Sequence, residues 1–296
     1  MALAADAHLS WNLAEDMRQL FAFHFMVNAY RAGTIVAVVA AVVGWFMVLR
    51  RQAFAGHTLA LVGFPGAAGA TWLGVSALWG FFGFCLAAAL CIAGLRPADG
   101  HGYSEESAGI GVVQAFALAC GFLFVSLYHG FLNGVNSLLF GSFLGVTDNQ
   151  VVVLLIVGAG VLAAVAGMAR PLLFASLDPD VAAARGVPVR RLSVLFLVLL
   201  GVTVAGVSQI TGSLLVFALL VMPPATAQLL TPRPALALVV ATAISVVVTW
   251  LALAVAYFFP PSPIGFFLTT FAFAGYVGAA AFRRASDRRR SLAAAA

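Results

Sequence analysis

The sequence predicts an all-α polytopic membrane protein, and three observations carry that prediction. Of 296 residues, 63% are hydrophobic and only 8% are charged, more apolar surface than a soluble fold of this length can hide. The apolar residues fall in repeated runs of roughly 20, the length that crosses a bilayer as a helix. The positive charges are all arginine, with no lysine anywhere, and they gather at the ends of those runs. No stretch is polar enough to form a separate soluble domain, so residues 1–296 read as one transmembrane domain.

Residues 12–24 come first and read as amphipathic: Asn12 and Glu15 stand at capping-box spacing, and Leu13, Met17, Leu20 and Phe21 share a face. Segment 1–25 is therefore expected to carry a helix lying in the membrane interface. Nine apolar spans follow, at roughly 27–49, 58–76, 78–95, 108–128, 150–169, 192–208, 213–230, 235–257 and 264–282. The second and third are short and glycine-rich, so eight is the other count. Residues 129–149 are less apolar and read as a half-inserted helix at the outer mouth. Pro223 and Pro224 interrupt the seventh span, freeing carbonyls for either a kink that lines a pathway or a kink that packs.

Arginine placement sets the orientation. Arg50 and Arg51, Arg96, Arg170, Arg185, Arg190, Arg191, Arg233 and the 283–296 tail all fall on one side of nine spans. By the positive-inside rule that side is the cytoplasm, with the N-terminus outside and the C-terminus inside. The net charge of +5 is explained this way and implies no nucleic acid. Cys85, Cys91 and Cys120 are isolated in apolar runs, with neither metal spacing nor a disulfide framework.

Segment 178–192 stands out as a short polar helix between two apolar spans, on the cytoplasmic side. Asp178 can cap it, Pro179 suits the first helical position, and Asp180 suits the positive end of the helix dipole. Gly186 can take the left-handed closing conformation and Pro188 prevents continuation. About two turns of helix are marginal alone, so the segment needs a partner surface. A lysine-free chain cannot form a P-loop, so if ATP drives this protein the nucleotide binds another subunit.

That segment, followed by an apolar span and then Gly212–Ala227 (Gly-Ser-Leu-Leu-Val-Phe-Ala-Leu-Leu-Val-Met-Pro-Pro-Ala-Thr-Ala), resembles the ABC-3 permeases of zinc, manganese and iron importers. Arg50-Arg51, Phe64-Pro65-Gly66, Ser107–Gly111 and Leu139–Ser142 match further family segments in order, so the resemblance covers residues 25–282. It implies a type II importer-like permease acting as a homodimer. Two cytoplasmic ATPase subunits would hold the ATP-Mg, and an extracytoplasmic metal-binding protein would deliver a divalent metal: zinc first, because histidine dominates the candidate ligands, with manganese or iron second. Asp178, Pro179, Asp180, Arg185, Gly186, Val187, Arg190 and Arg191 would form the coupling helix, in a multi-pass protein of the bacterial cytoplasmic membrane. No cofactor and no catalytic residue belong to this chain.

Where the family commonly carries an Asp-x-x-x-His pair, this chain has His57 and Leu61. Residues four apart share a helix face, so the usual pair can hold a cation and here one potential ligand remains. His57 can still ligate through a neutral imidazole. His129 and Asp148, at the two ends of the outer segment, are the other candidate ligands. His101, Glu105 and Glu106 read as a solvated inner loop. No carboxylate lies mid-span, which argues against a proton-coupled secondary carrier.

Overall fold

The computed structural model describes residues 21–95, 103–128, 145–259 and 263–295. Among them there are ten helices: α1 His24–Leu49, α2 Ala53–Trp72, α3 Ala77–Leu95, α4 Tyr103–Leu127, α5 Asp148–Leu177, α6 Pro179–Ala184, α7 Val189–Thr211, α8 Ser213–Leu230, α9 Pro234–Phe258 and α10 Ile264–Ala295. Each of the nine apolar runs has its helix. Among the described residues seven are long and apolar enough to cross a membrane; α2 is not one of them, and α8 is apolar but shorter. Most of the expected interfacial helix, the 129–144 segment with His129, and His101 lie outside the described residues.

The helices form two compact units: one of Met1–Trp45, Phe143–Val151 and Ala218–Ala296, the other of Phe46–Ser142 and Val152–Phe217. In the first, α9 packs on α10. A polar knot ties α1 to α9: Trp250 Nε1 donates to Thr34 Oγ1 at 2.9 Å, and the Tyr30 hydroxyl donates to the Trp250 carbonyl at 3.3 Å. In apolar surroundings such bonds supply cohesion that hydrophobicity alone cannot, since lipid is as apolar as the core.

In the second unit α2 is central, packed on α3, α4 and α7. Small residues make this possible. Gly66 of α2 and Gly80 of α3 cross so closely that a Cβ on either meets the other's carbonyl oxygen. Pro65 sits inside α2, and Gly121 of α4 leaves room for its ring. Thus the short, glycine-rich run that was hardest to count as a span is the buried hub, its sequence set by close backbone approach. The large side chains instead face outward elsewhere: Phe116 and Phe122 of α4 and Ile156 of α5 are exposed, as lipid-facing groups are.

Candidate functional site

One end of the second unit carries α6, and its local sequence explains its form. Asp178, in extended backbone, accepts a hydrogen bond from the Val181 N–H at 3.0 Å, and Pro179 opens the helix. At the other end the Val187 N–H reaches the Ala182 carbonyl at 3.0 Å and the Gly186 N–H reaches Ala183 at 2.9 Å. This is a Schellman stop, with Gly186 at φ +81° in the left-handed position that glycine takes without penalty. The accompanying apolar contact is present too. Ala182 is fully buried with Ala175 and Leu192, and Val187, Val189 and Met168 pack around them.

The helix is shorter than segment 178–192. It ends at Ala184, and α7 begins at Val189, because two residues after the Schellman turn suffice to restart a helix. Arg190 and Arg191 therefore belong to the first turn of α7, where the helix dipole disfavours cations. They are exposed, as are Arg185, Leu177 and Val181. So α6 is anchored through Ala182 and presents Asp180 and Val181, with the following Arg185, outward.

Arg50 was read only as an inside-facing charge, yet it has the most elaborate surroundings of any described arginine. The α1–α2 turn is itself a Schellman motif: Gln52 N–H to the Met47 carbonyl at 2.9 Å and Arg51 N–H to Val48 at 3.0 Å. Arg51 holds the left-handed position at φ 56°. This aims Arg50 back into the protein. Its Nη1 donates to Ser176 Oγ of α5 at 3.2 Å, its Nη2 to Ser193 Oγ of α7 at 2.6 Å, and its Nε to Gln52 Oε1 at 3.4 Å. The guanidinium also lies over the Phe196 ring, 5.5 Å from its centroid. No short-range sequence signal reveals this, since Ser176 and Ser193 lie 126 and 143 residues away.

His57 lies on α2, one turn into the helix and half-buried. Its ring meets Phe217 edge-on at 4.8 Å, and its Nδ1 is buried with no hydrogen-bond partner. The next residue, Thr58, donates to Gln114 of α4 at 2.9 Å. Leu61, one turn on, supplies no ligand atom. Phe217 stands one turn beyond a turn of unusual character: Thr211, Gly212 and Ser213, which join α7 to α8, are all buried. Ser208 and Ser213 leave their hydroxyls without partners there. A buried, polar helix end is tolerated at membrane depth only within protein or along a cavity. The polar run Ser208–Ser213 between two apolar spans was the available sequence signal. Among the described residues no group of three or more His, Cys, Asp or Glu can hold a metal ion.

At the opposite helix ends, Asp148 opens α5 and pairs with His24 of α1, Oδ2 to Nε2 at 3.0 Å, both side chains exposed. Nearby, Asn28 Nδ2 donates to the Val146 carbonyl at 3.3 Å. Pro223 and Pro224 are buried within α8, which remains continuous. Pro224 offers no N–H to Leu220, and that carbonyl is packed against Gly44 of α1, where a Cβ would collide with it. In this geometry the freed carbonyl serves helix packing.

Among the described residues, nine apolar helices, seven of them long and apolar enough to cross a membrane, with one short anchored helix between two long ones, define a multi-pass membrane protein. The chain belongs to the ABC 3 transport family, whose model matches residues 22–283. It is 30% identical to the manganese transport system membrane protein MntC of Halalkalibacterium halodurans, over 75% of each chain. It is 32% identical to the chelated iron transport system membrane protein YfeC of Yersinia pestis, over 79% of each. Among solved structures it resembles PsaBC from Streptococcus pneumoniae in complex with Fab, with a TM-score of 0.78 and 27% identity over 90% of this chain and 94% of that one.

Proposed function

We propose that this chain is the pore-forming permease of an ATP-driven importer of a divalent transition metal, manganese or iron ahead of zinc. Two copies form the pore in a bacterial cytoplasmic membrane. Two cytoplasmic ATPase subunits grip the α6 region, and an extracytoplasmic metal-binding protein delivers the cargo. The observation that carries this reading is α6 itself: capped, stopped and anchored on one face, with Val181 and Arg185 turned outward. Arg190 and Arg191 support it, because two cations in a first helical turn lower intrinsic stability and gain from an external partner. Chain alternation puts these arginines with Arg50, Arg51, Arg233, Arg283 and Arg284 on the inner side.

The metal assignment moves away from the zinc favoured by histidine content. The relatives named for a metal are manganese and iron proteins. The chemistry agrees: His57 is one nitrogen ligand, and the polar groups near the α7–α8 turn are hydroxyls, hard donors that suit manganese better than the sulfur and nitrogen sets of tight zinc sites. The lone His57 would ligate in passing. His129 and Asp148 remain candidate outer ligands, with His24 already paired to the latter.

The test is reconstitution of the permease with its ATPase and binding protein in proteoliposomes. Manganese uptake requires ATP and the ATPase, and iron(II) competes better than zinc. Uptake by the permease alone under an ion gradient would overturn the ATP-driven reading, and uptake of zinc alone would overturn the metal assignment.

A further inference from the structure

Arg50 does more than anchor a span end to the inner surface. An arginine serving only that purpose snorkels to the headgroups and needs no protein partner. This one turns inward, is half-buried, and engages three elements at once. Its two terminal nitrogens reach hydroxyls on different helices, Ser176 in the last turn of α5 and Ser193 in the first turn of α7. Those two turns are the roots of the α6 hairpin, since α6 begins at Pro179 and α7 at Val189. Phe196, fully buried one turn further along α7, supplies a flat surface beneath the guanidinium.

The backbone side of the link is equally specific. Arg50 is the last residue before the α1–α2 reversal, and α2 starts three residues later at Ala53. The turn is closed by paired backbone hydrogen bonds at both ends, with the Gly56 N–H already bonded to the Gln52 carbonyl at 3.0 Å. A displacement of Arg50 therefore cannot be absorbed by slack in the turn. It must move the first turn of α2, which carries His57 and, through Thr58, the Gln114 contact on α4. The C-terminal ends of α1 and α5 attract the cation and the N-terminal end of α7 opposes it, so charge alone does not fix the orientation of the fork. The hydrogen bonds and the ring hold it there.

We propose that Arg50 is a positioning residue that transmits movement of the α6 hairpin to the start of α2, and so to the pathway helix bearing His57. The proposal rests on the reading of α6 as the site of ATPase docking. It requires an arginine: a planar fork can satisfy two acceptors on separate helices while lying on a ring, and a lysine's single ammonium cannot do all three.

The experiment uses the complete reconstituted transporter and measures manganese moved per ATP hydrolysed, alongside the affinity of the permease for its ATPase. The variants are Arg50→Lys, Arg50→Ala and the double change Ser176→Ala with Ser193→Ala. The double change keeps the charge and removes the acceptors, so it carries the test if Arg50→Ala does not fold. The expected result is ATPase affinity within about twofold of the unmodified protein, continued hydrolysis, and manganese per ATP lowered about tenfold. An unchanged ratio in folded, docked variants would overturn the proposal. So would uptake and hydrolysis falling in proportion, which marks a purely structural role. Arg190→Ala with Arg191→Ala serves as a separate arm. Undisturbed ATPase binding in that arm refutes the docking surface itself, whereas weakened binding there with an unchanged ratio in the Arg50 variants refutes only the transmission.

Discussion

The α6 region and the surroundings of His57 are built in opposite ways. Around α6 both ends and both roots are tied: a carboxylate cap, a Schellman stop, a buried alanine and leucine cluster, and a guanidinium fork at the roots. At His57 and at the α7–α8 turn polar atoms are left over: the Nδ1 of His57 and, separately, the hydroxyls of Ser208 and Ser213 are buried without partners. The contrast fits a division of labour. A part that transmits force must be rigid and satisfied. A part that passes an ion must leave ligand atoms unsatisfied and weakly committed, since a cation held by a complete ligand set would not leave.

That contrast can be broken at four points. The largest effect is expected from Gly80→Val, which drives a side chain into the Gly66 carbonyl at the α2–α3 crossing. The helix that carries His57 then loses its seat. Overpacking of this kind costs about 1–3 kcal/mol, and thermal unfolding in detergent should show a clearly lowered midpoint. An unchanged midpoint would mean that α2 is not the hub.

His57→Ala should lower manganese uptake about tenfold while leaving the unfolding midpoint and ATPase binding unchanged, because it removes one ligand and no internal hydrogen bond. Wild-type uptake would remove His57 from the pathway. The converse variant, His57→Asp with Leu61→His, places two ligands on one face of α2 and should raise uptake above that of His57→Ala.

Asp178→Ala removes the α6 cap, worth about 1 kcal/mol. The loss falls on an exposed helix, so the signature is weaker ATPase binding with little change in global unfolding. An equal change in both would show that α6 is part of the folded core. The smallest effect is expected from Asp148→Asn. Its pairing with His24 is solvent-exposed, so stability should hardly change, and any change should vanish with added salt.

Local signals were legible and long-range ones were not. The start and stop of α6 could be read because a cap, a first-turn proline and a positive-φ glycine act within a few residues of themselves. The polar segment was nevertheless carried to Leu192, past its own stop at Gly186, because nothing in 188–192 announces that a new helix begins at Val189. The apolar runs revealed nine helices through length and hydrophobicity. They did not reveal that α2, which falls short of the membrane-crossing helices, is the hub, since this depends on which glycines meet across α3. Arg50 looked like any inside-facing arginine; its role lies in serines far along the chain.

The central claim is that the exposed face of α6 and the first turn of α7 receive the ATPase. Binding of the ATPase subunit to purified, folded permease tests it most directly, comparing the unmodified chain with Val181→Asp and with Arg190→Glu plus Arg191→Glu. The account predicts that affinity falls at least about tenfold in both variants while the unfolding midpoint stays put. Affinity within about twofold of the unmodified chain in both would contradict it.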